Sequence, residues 1–236
     1  MALVGFALLV VAGCSGSKVT TKASAELPRY QIRIMALVPF TTLTTPQVRD
    51  VADQHFSVPP EVRRSDIAMA VPPTIEHPLR QTVTVPAGAG DIVTQLLWNR
   101  LKTRQGMTVL SPGEATRALT SQSASQPSPG QSQAVTVAKQ LKADASLIGQ
   151  VLVYRERVGG RFGASPPATV GFEAKVVAAD GQVLWAGNYY EKQRPMTDDP
   201  MGVIKRRAVS VTEADLAAHG VEHALIELPF GPAVHP

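Results

Sequence analysis

Two apolar-rich runs, Ala168 to Ala179 and Gln182 to Gln193, flank the dipeptide Asp180-Gly181. Asp-Gly between such runs is the strongest short-range hairpin signal, because a two-residue turn needs positive φ and these residues tolerate it. The chain is therefore committed to an antiparallel sheet built on long strands that carry Phe172, Val176, Leu184 and Trp185. A further long strand, Ser146 to Tyr154, precedes the pair, with charges beginning at Arg155.

Upstream, the pattern mixes strands with helices. Tyr30 to Phe40 sets Ile32, Ile34, Ala36 and Val38 on one face against Arg33, Met35 and Leu37 on the other, a strand with two largely apolar faces and hence a central one. Residues 41–90 are rich in proline, with Pro59-Pro60 and Pro72-Pro73 as breakers, and a short strand is expected among them at Gln81 to Val85. From Asp91 a helix is expected, its stripe Ile92, Leu96, Leu97 and Leu101, with Asn99, Arg100, Lys102 and Arg104 opposite. Met107 to Leu110 is a short strand, and Ser111-Pro112-Gly113-Glu114 supplies a capping box for a helix to about Leu119. Residues 120–132 form a polar loop, and Ala134, Val137, Ala138 and Leu141 mark the next helix. Thr212 and Asp215 make a second capping box before Leu216, Val221, Ala224, Leu225 and Leu228. The expected fold class is α/β: a single mixed β-sheet with helices packed on it, ending in a long-stranded antiparallel hairpin and a C-terminal helix.

The N-terminus says where such a chain resides. An apolar run from Met1 leads into Val11-Ala12-Gly13-Cys14, and Cys14 is the only cysteine. The run is too short for a spanning helix, which needs about 20 apolar residues. It resembles the lipobox of bacterial lipoproteins, where the thiol is lipidated and the preceding segment removed. No Lys or Arg precedes Lys18, which a mis-assigned start codon explains, and an N-terminal core strand with a buried free thiol is the competing reading. The expected division is a signal peptide at 1–13, a lipidated cysteine and flexible tether at 14–29, one domain at 30–230 and a tail at 231–236. Two or more acyl chains suffice for stable anchoring. Ser15 stands where an Asp would favour inner-membrane retention, so the expectation is the outer membrane, periplasmic face. With its one thiol acylated the body has no disulfide, and a packed core must hold it.

Composition permits that core: 44% hydrophobic against 18% charged residues is ordinary for a globular domain. The formal charge of +4 is dispersed in small groups such as Arg63-Arg64 and Lys205-Arg206-Arg207, and aromatics are 5%. Nucleic-acid surfaces need a concentrated basic stripe with stacking aromatics, so none is expected here.

Four stretches together resemble a known group. They are Ile34 to Phe40, the helix with Met107 to Glu114, Leu141 to Val151, and the Asp180 to Trp185 hairpin. They are similar to the α/β domain of curli-secretion lipoproteins, penicillin-binding-protein activators and the amino-terminal domain of the Tol translocation protein, over about residues 31–193. The resemblance implies a lipid-tethered body without catalytic machinery that touches a partner, or a subunit of an oligomeric outer-membrane channel. A channel hairpin needs strands of about 9 to 11 residues alternating apolar-out and polar-in. The Pro-rich stretch does not supply two of them, and the resemblance assigns the 168–193 hairpin to the body.

Catalytic chemistry has one candidate. His219-Gly220-Val221-Glu222-His223 spells the H-x-x-E-H pattern of inverted zinc peptidases, with two imidazoles on one helical face. A third ligand would have to come from Glu227 or the short tail, and Gly220 weakens the helix, so surface or capping histidines are the expected reading. Gly88-Ala89-Gly90 fails as a phosphate loop because Val93 stands where its third glycine belongs. No catalytic residue, metal, cofactor or small-molecule substrate is expected. The expected function is a non-enzymatic protein-binding or assembly module, its partner an envelope protein or copies of itself. Trp185, Tyr189 and Tyr190 are the candidate partner-binding residues, weighed against cross-strand core packing.

Overall fold

The computed structural model describes residues 19–48, 82–121, 130–157, 159–160, 163–164, 167–193 and 212–231. Cys14 and the segment before it lie outside them, as do most of the Pro-rich stretch and the 122–129 part of the polar loop. The elements in chain order are β1 (Val19–Ala23), β2 (Ile34–Leu37), β3 (Thr41–Thr42), β4 (Gln47–Val48), β5 (Thr82–Val83), α1 (Ala89–Leu101), β6 (Thr108–Leu110), α2 (Pro112–Thr120), α3 (Gln131–Leu141), β7 (Ala145–Arg155), β8 (Gly159–Gly160), β9 (Gly163–Ala164), β10 (Thr169–Ala178), β11 (Val183–Lys192) and α4 (Glu213–Ile226).

One mixed sheet organises most of them, in the order β1-β11-β10-β7-β2-β6, with β3 also pairing β7, while β4 pairs β5 and β8 pairs β9 in two separate ladders. β2 runs parallel to both β6 and β7, whereas β7, β10, β11 and β1 are successively antiparallel. The expected α/β class and central β2 are both present. Met35 and Leu37 are buried on one side of β2, Ala36 and Val38 on the other. Asp144 fixes the start of β2, its Oδ2 accepting from the Arg33 and Ile34 amides at 2.8 Å each.

The hairpin closes over Ala179, Asp180 and Gly181, one residue more than a minimal turn. The Gly181 amide donates to the Ala178 carbonyl, and the Ala178 amide to the Gln182 carbonyl, both at 2.9 Å. Gly181 has φ +101°, a conformation that costs glycine nothing. Asp180 serves the turn twice: Oδ1 accepts from the Gln182 amide at 2.9 Å, and Oδ2 from the Tyr30 hydroxyl at 2.7 Å. Those bonds hold its carboxyl below the usual aspartate range.

Both capping boxes form. In α2 the Ser111 amide donates to Glu114 Oε2 at 2.7 Å, and the Glu114 amide to Ser111 Oγ at 3.3 Å. In α4 the Thr212 amide donates to Asp215 Oδ2 at 3.0 Å, and the Asp215 amide to Thr212 Oγ1 at 3.2 Å. Each box satisfies two N-terminal amide groups that the helix itself cannot.

Three sequence expectations need correction. The stretch 19–29 is not tether: Val19 to Ala23 pairs with Tyr189 to Trp185 of β11, and a 3-10 turn follows at Leu27–Arg29. Val-Thr-Thr is β-prone, and the unpaired edge of β11 supplies its bonding partners. Secondly, α1 buries Val93, Thr94, Leu97 and Leu101 and leaves Ile92 at 42% exposure. Gly90 sets that rotation, since a Cβ there would lie 2.3 Å from the Phe40 carbonyl oxygen, and Thr94 Oγ1 accepts from the Phe40 amide at 2.8 Å. Thirdly, Arg104 is buried at 8% exposure rather than solvated. Its guanidinium donates to the Leu225, Leu228 and Gly231 carbonyls at 2.8, 2.9 and 3.0 Å, which satisfies the C-terminal end of α4 and the chain beyond.

α1 and α4 pack on one side of the sheet over the larger core, which runs from Met35 and Leu37 through Phe172 and Tyr189 to Leu216 and Leu225. α2 and α3 pack on the other side, against β2, β7 and β10, over a smaller core of Ala36, Val38, Ala115, Ala134, Val137, Ile148 and Val177. Among the described residues no helix is long and apolar enough to cross a membrane.

Candidate functional site

The register of β10 and β11 decides where the three candidate aromatics point, because side chains alternate across a strand. Trp185, Gly187, Tyr189 and Glu191 face α4; Ala186, Asn188, Tyr190 and Lys192 face the opposite side. Trp185 is 2% exposed and its indole Nε1 donates to the Glu227 carbonyl at 3.2 Å. Tyr189 is fully buried, with its ring centroid 5.3 Å from that of Phe172. As partner-binding candidates Trp185 and Tyr189 are therefore withdrawn: α4 covers their face, and they belong to the core.

Tyr190 is 54% exposed. It stands directly opposite Gly171 on β10, where a Cβ would come 3.1 Å from the Tyr190 ring, so the glycine floor lets the ring lie on the sheet. Around it the same side carries Thr20, Lys22 and Asn188, all exposed, and the half-buried Glu173, Lys175 and Lys192. Lys175 Nζ lies 3.3 Å from Glu173 Oε1, a surface pair of little energetic weight. The surface is basic, with one aromatic. Toward α3 it falls into a cleft of about 400 Å³ whose walls include Gln131, Ile148, Gln150, Lys175 and Val183.

The H-x-x-E-H residues sit on α4. His219 and His223 are both exposed, one turn apart, with ring centroids 4.2 Å from each other. Glu222 is directed elsewhere, its Oε2 lying 3.9 Å from Arg100 on α1. The acid near the pair is Glu191, which sequence reading passes over because it lies on a different element. Its Oε2 is 3.6 Å from His219 Nδ1, and its side chain is 7% exposed. The Tyr189 hydroxyl lies 2.8 Å from that same oxygen and 3.0 Å from the Leu216 carbonyl. Burial, and then the Glu191 carboxylate, raise the phenol well above its ordinary pKa, so it remains a neutral donor. Gly220 belongs to this arrangement. A Cβ there would meet the Tyr189 ring at 2.3 Å, so the residue that weakens the helix is also the one that seats it.

No protein-family model matches the chain, and no curated protein matches it. Solved structures to which it is similar include the PelC dodecamer from Paraburkholderia phytofirmans, at 14% identity over 88% of this chain and 93% of that one, with a TM-score of 0.44. Others are the LpoB C-terminal domain from Salmonella enterica, at 12% identity over 70% and 85% of the two chains (TM-score 0.36), and lipoprotein GNA1162 from Neisseria meningitidis, at 14% over 76% and 99% (TM-score 0.35). Likeness at this level says nothing of activity or partners.

Proposed function

We propose that the chain is an outer-membrane-anchored periplasmic lipoprotein, acylated on Cys14, that serves as a non-enzymatic protein-binding module of the cell envelope. The observation that carries the binding role is Tyr190: an exposed aromatic laid on a glycine floor, two positions from Lys192 on the same strand face, with Lys22 and Lys175 farther along that face beside Ala186. Tyrosine is favoured at interface centres because it gives a large contact area at low entropic cost. Lysines on the same face favour a partner with an acidic surface, since charge complementarity steers the encounter. The anchor rests on the Val11-Ala12-Gly13-Cys14 sequence.

The peptidase reading is weaker, because Glu222 reaches toward Arg100 instead of toward a site between the two imidazoles. The channel reading asks for strands dedicated to the bilayer, and β10 and β11 are already joined to β7 and covered by α4 on one side.

The test is a photo-crosslinking residue at position 190 in the native envelope, with the lipid anchor intact and a control at Ile92. The expected result is one discrete adduct with a different protein from position 190 and none from position 92. Adducts between copies of the chain would favour self-assembly instead, and equal labelling at both positions would overturn the assignment of the face. Radiolabelled palmitate appearing on the wild type but not on Cys14→Ser tests the anchor separately.

A further inference from the structure

We propose that His219 and His223 form a chelating site for a divalent transition-metal ion, with Glu191 orienting the first of the two imidazoles. Three observations combine. Histidines at i and i+4 share one helical face, and here the rings stand side by side with centroids 4.2 Å apart, both exposed to incoming ions. Imidazole is a preferred ligand of zinc and copper. The third observation lies behind the pair: the Glu191 carboxylate is 3.6 Å from His219 Nδ1.

Metal-bound histidines commonly give their second ring N–H to a carboxylate, which fixes the tautomer and makes the ligating nitrogen more basic. Glu191 suits that role because it does not wander. It is 7% exposed, and the hydroxyl of Tyr189, whose ring is seated against Gly220, holds its Oε2 at 2.8 Å. A small closing of that 3.6 Å gap would let this carboxylate accept the Nδ1 proton, which leaves Nε2 of His219 as the donor atom, beside His223. The chain of contacts from Gly220 through Tyr189 and Glu191 to His219 thus runs from the core to the surface of α4.

Among the described residues no group of three or more His, Cys, Asp or Glu converges as a closed structural site would need. Two protein ligands with water completing the shell make an exchangeable surface chelate. This differs from the peptidase reading, in which Glu222 would act as a base on the metal's water; here Glu222 has no part.

Isothermal titration of Zn²⁺ into the detergent-solubilised full chain tests the site. One equivalent is expected to bind, with affinity at least about tenfold weaker in both His219→Gln and His223→Gln. Because both side chains are on the surface, these variants keep the fold, and a circular dichroism melt checks it. Zn²⁺ should also raise the melting temperature of the wild type and of neither variant, as mass action requires of a ligand specific for the native state. Affinity that is unchanged in either variant would overturn the chelate. For the orienting role, Tyr189→Phe frees Glu191 without emptying the core and is expected to weaken Zn²⁺ about tenfold. Undiminished affinity in Tyr189→Phe and in Glu191→Gln would remove Glu191 from the site.

Discussion

The two sides of one sheet are finished differently. Beneath α1 and α4, the inward residues of β7, β10 and β11 are sealed: Val151, Phe172, Val176, Trp185 and Tyr189 are almost without solvent contact. On the reverse side, α2 and α3 pack over β2, β7 and β10, and the outward residues of β1 and β11 from Ala186 to Lys192 are exposed or half-buried. Adjacent tyrosines make the contrast sharpest. Tyr189 is fully buried and Tyr190 is 54% exposed, although they share a strand and an amino-acid type. Strand parity, more than residue chemistry, decides which of the two can meet a partner.

That contrast can be broken by mutation. The largest effect is expected from Tyr189→Ala, which empties a core position and leaves Glu191 without its hydroxyl donor. A loss of about 3–5 kcal/mol should appear as a lowered urea midpoint. Arg104→Met comes next, because three carbonyls at and beyond the end of α4 each lose a guanidinium donor. The expected cost is about 2–4 kcal/mol, and an unchanged midpoint would refute the structural role assigned to this arginine. Ser111→Ala and Thr212→Ala remove one capping box from each helical layer and should cost about 1 kcal/mol each. Tyr190→Ser completes the series: a shift within about 0.5 kcal/mol in stability, with loss of the adduct from a photo-crosslinking residue placed at the exposed neighbour Asn188, would separate binding from folding.

Acid gives a finer probe of the same layers. Glu114 and Asp215 are held below their ordinary values of 4.5 and 3.8, chiefly by hydrogen bonds from Ser111 and Thr212. A carboxyl depressed in the folded state binds fewer protons there than in the unfolded chain. Its contribution is therefore complete above the unfolded value and is lost as pH falls through the folded one. Urea midpoints measured from pH 6 down to pH 3 should fall more steeply in the wild type than in Ser111→Ala or Thr212→Ala.

Local chemistry made much of this legible in advance. Asp180-Gly181 gave the hairpin, the two capping boxes gave helix starts, and the two-faced strand around Met35 gave the centre of the sheet. What escaped depends on neighbours remote in sequence. Val19 to Ala23 is too short and polar to announce a strand without the edge of β11 beside it. Arg104 looks solvated until the carbonyls after α4 arrive around it. Trp185 and Tyr189 could be assigned a face only once α4 was known to lie over them, and Glu191 meets His219 across elements that no periodicity links. The lipobox-like stretch is the reverse case: the expectation rests on residues 11–14 alone, and they lie outside the described residues.

The edge strand has a spatial consequence. Cys14 stands only five positions before Val19, the first residue of β1. With an acyl anchor on that cysteine, even a fully extended spacer spans about 18 Å. Such a leash is shorter than the body it holds, so the domain would hug the lipid surface instead of roaming the compartment. Under the proposal above, whatever meets Tyr190 would itself sit close to the bilayer, which narrows the search to proteins that live at that boundary.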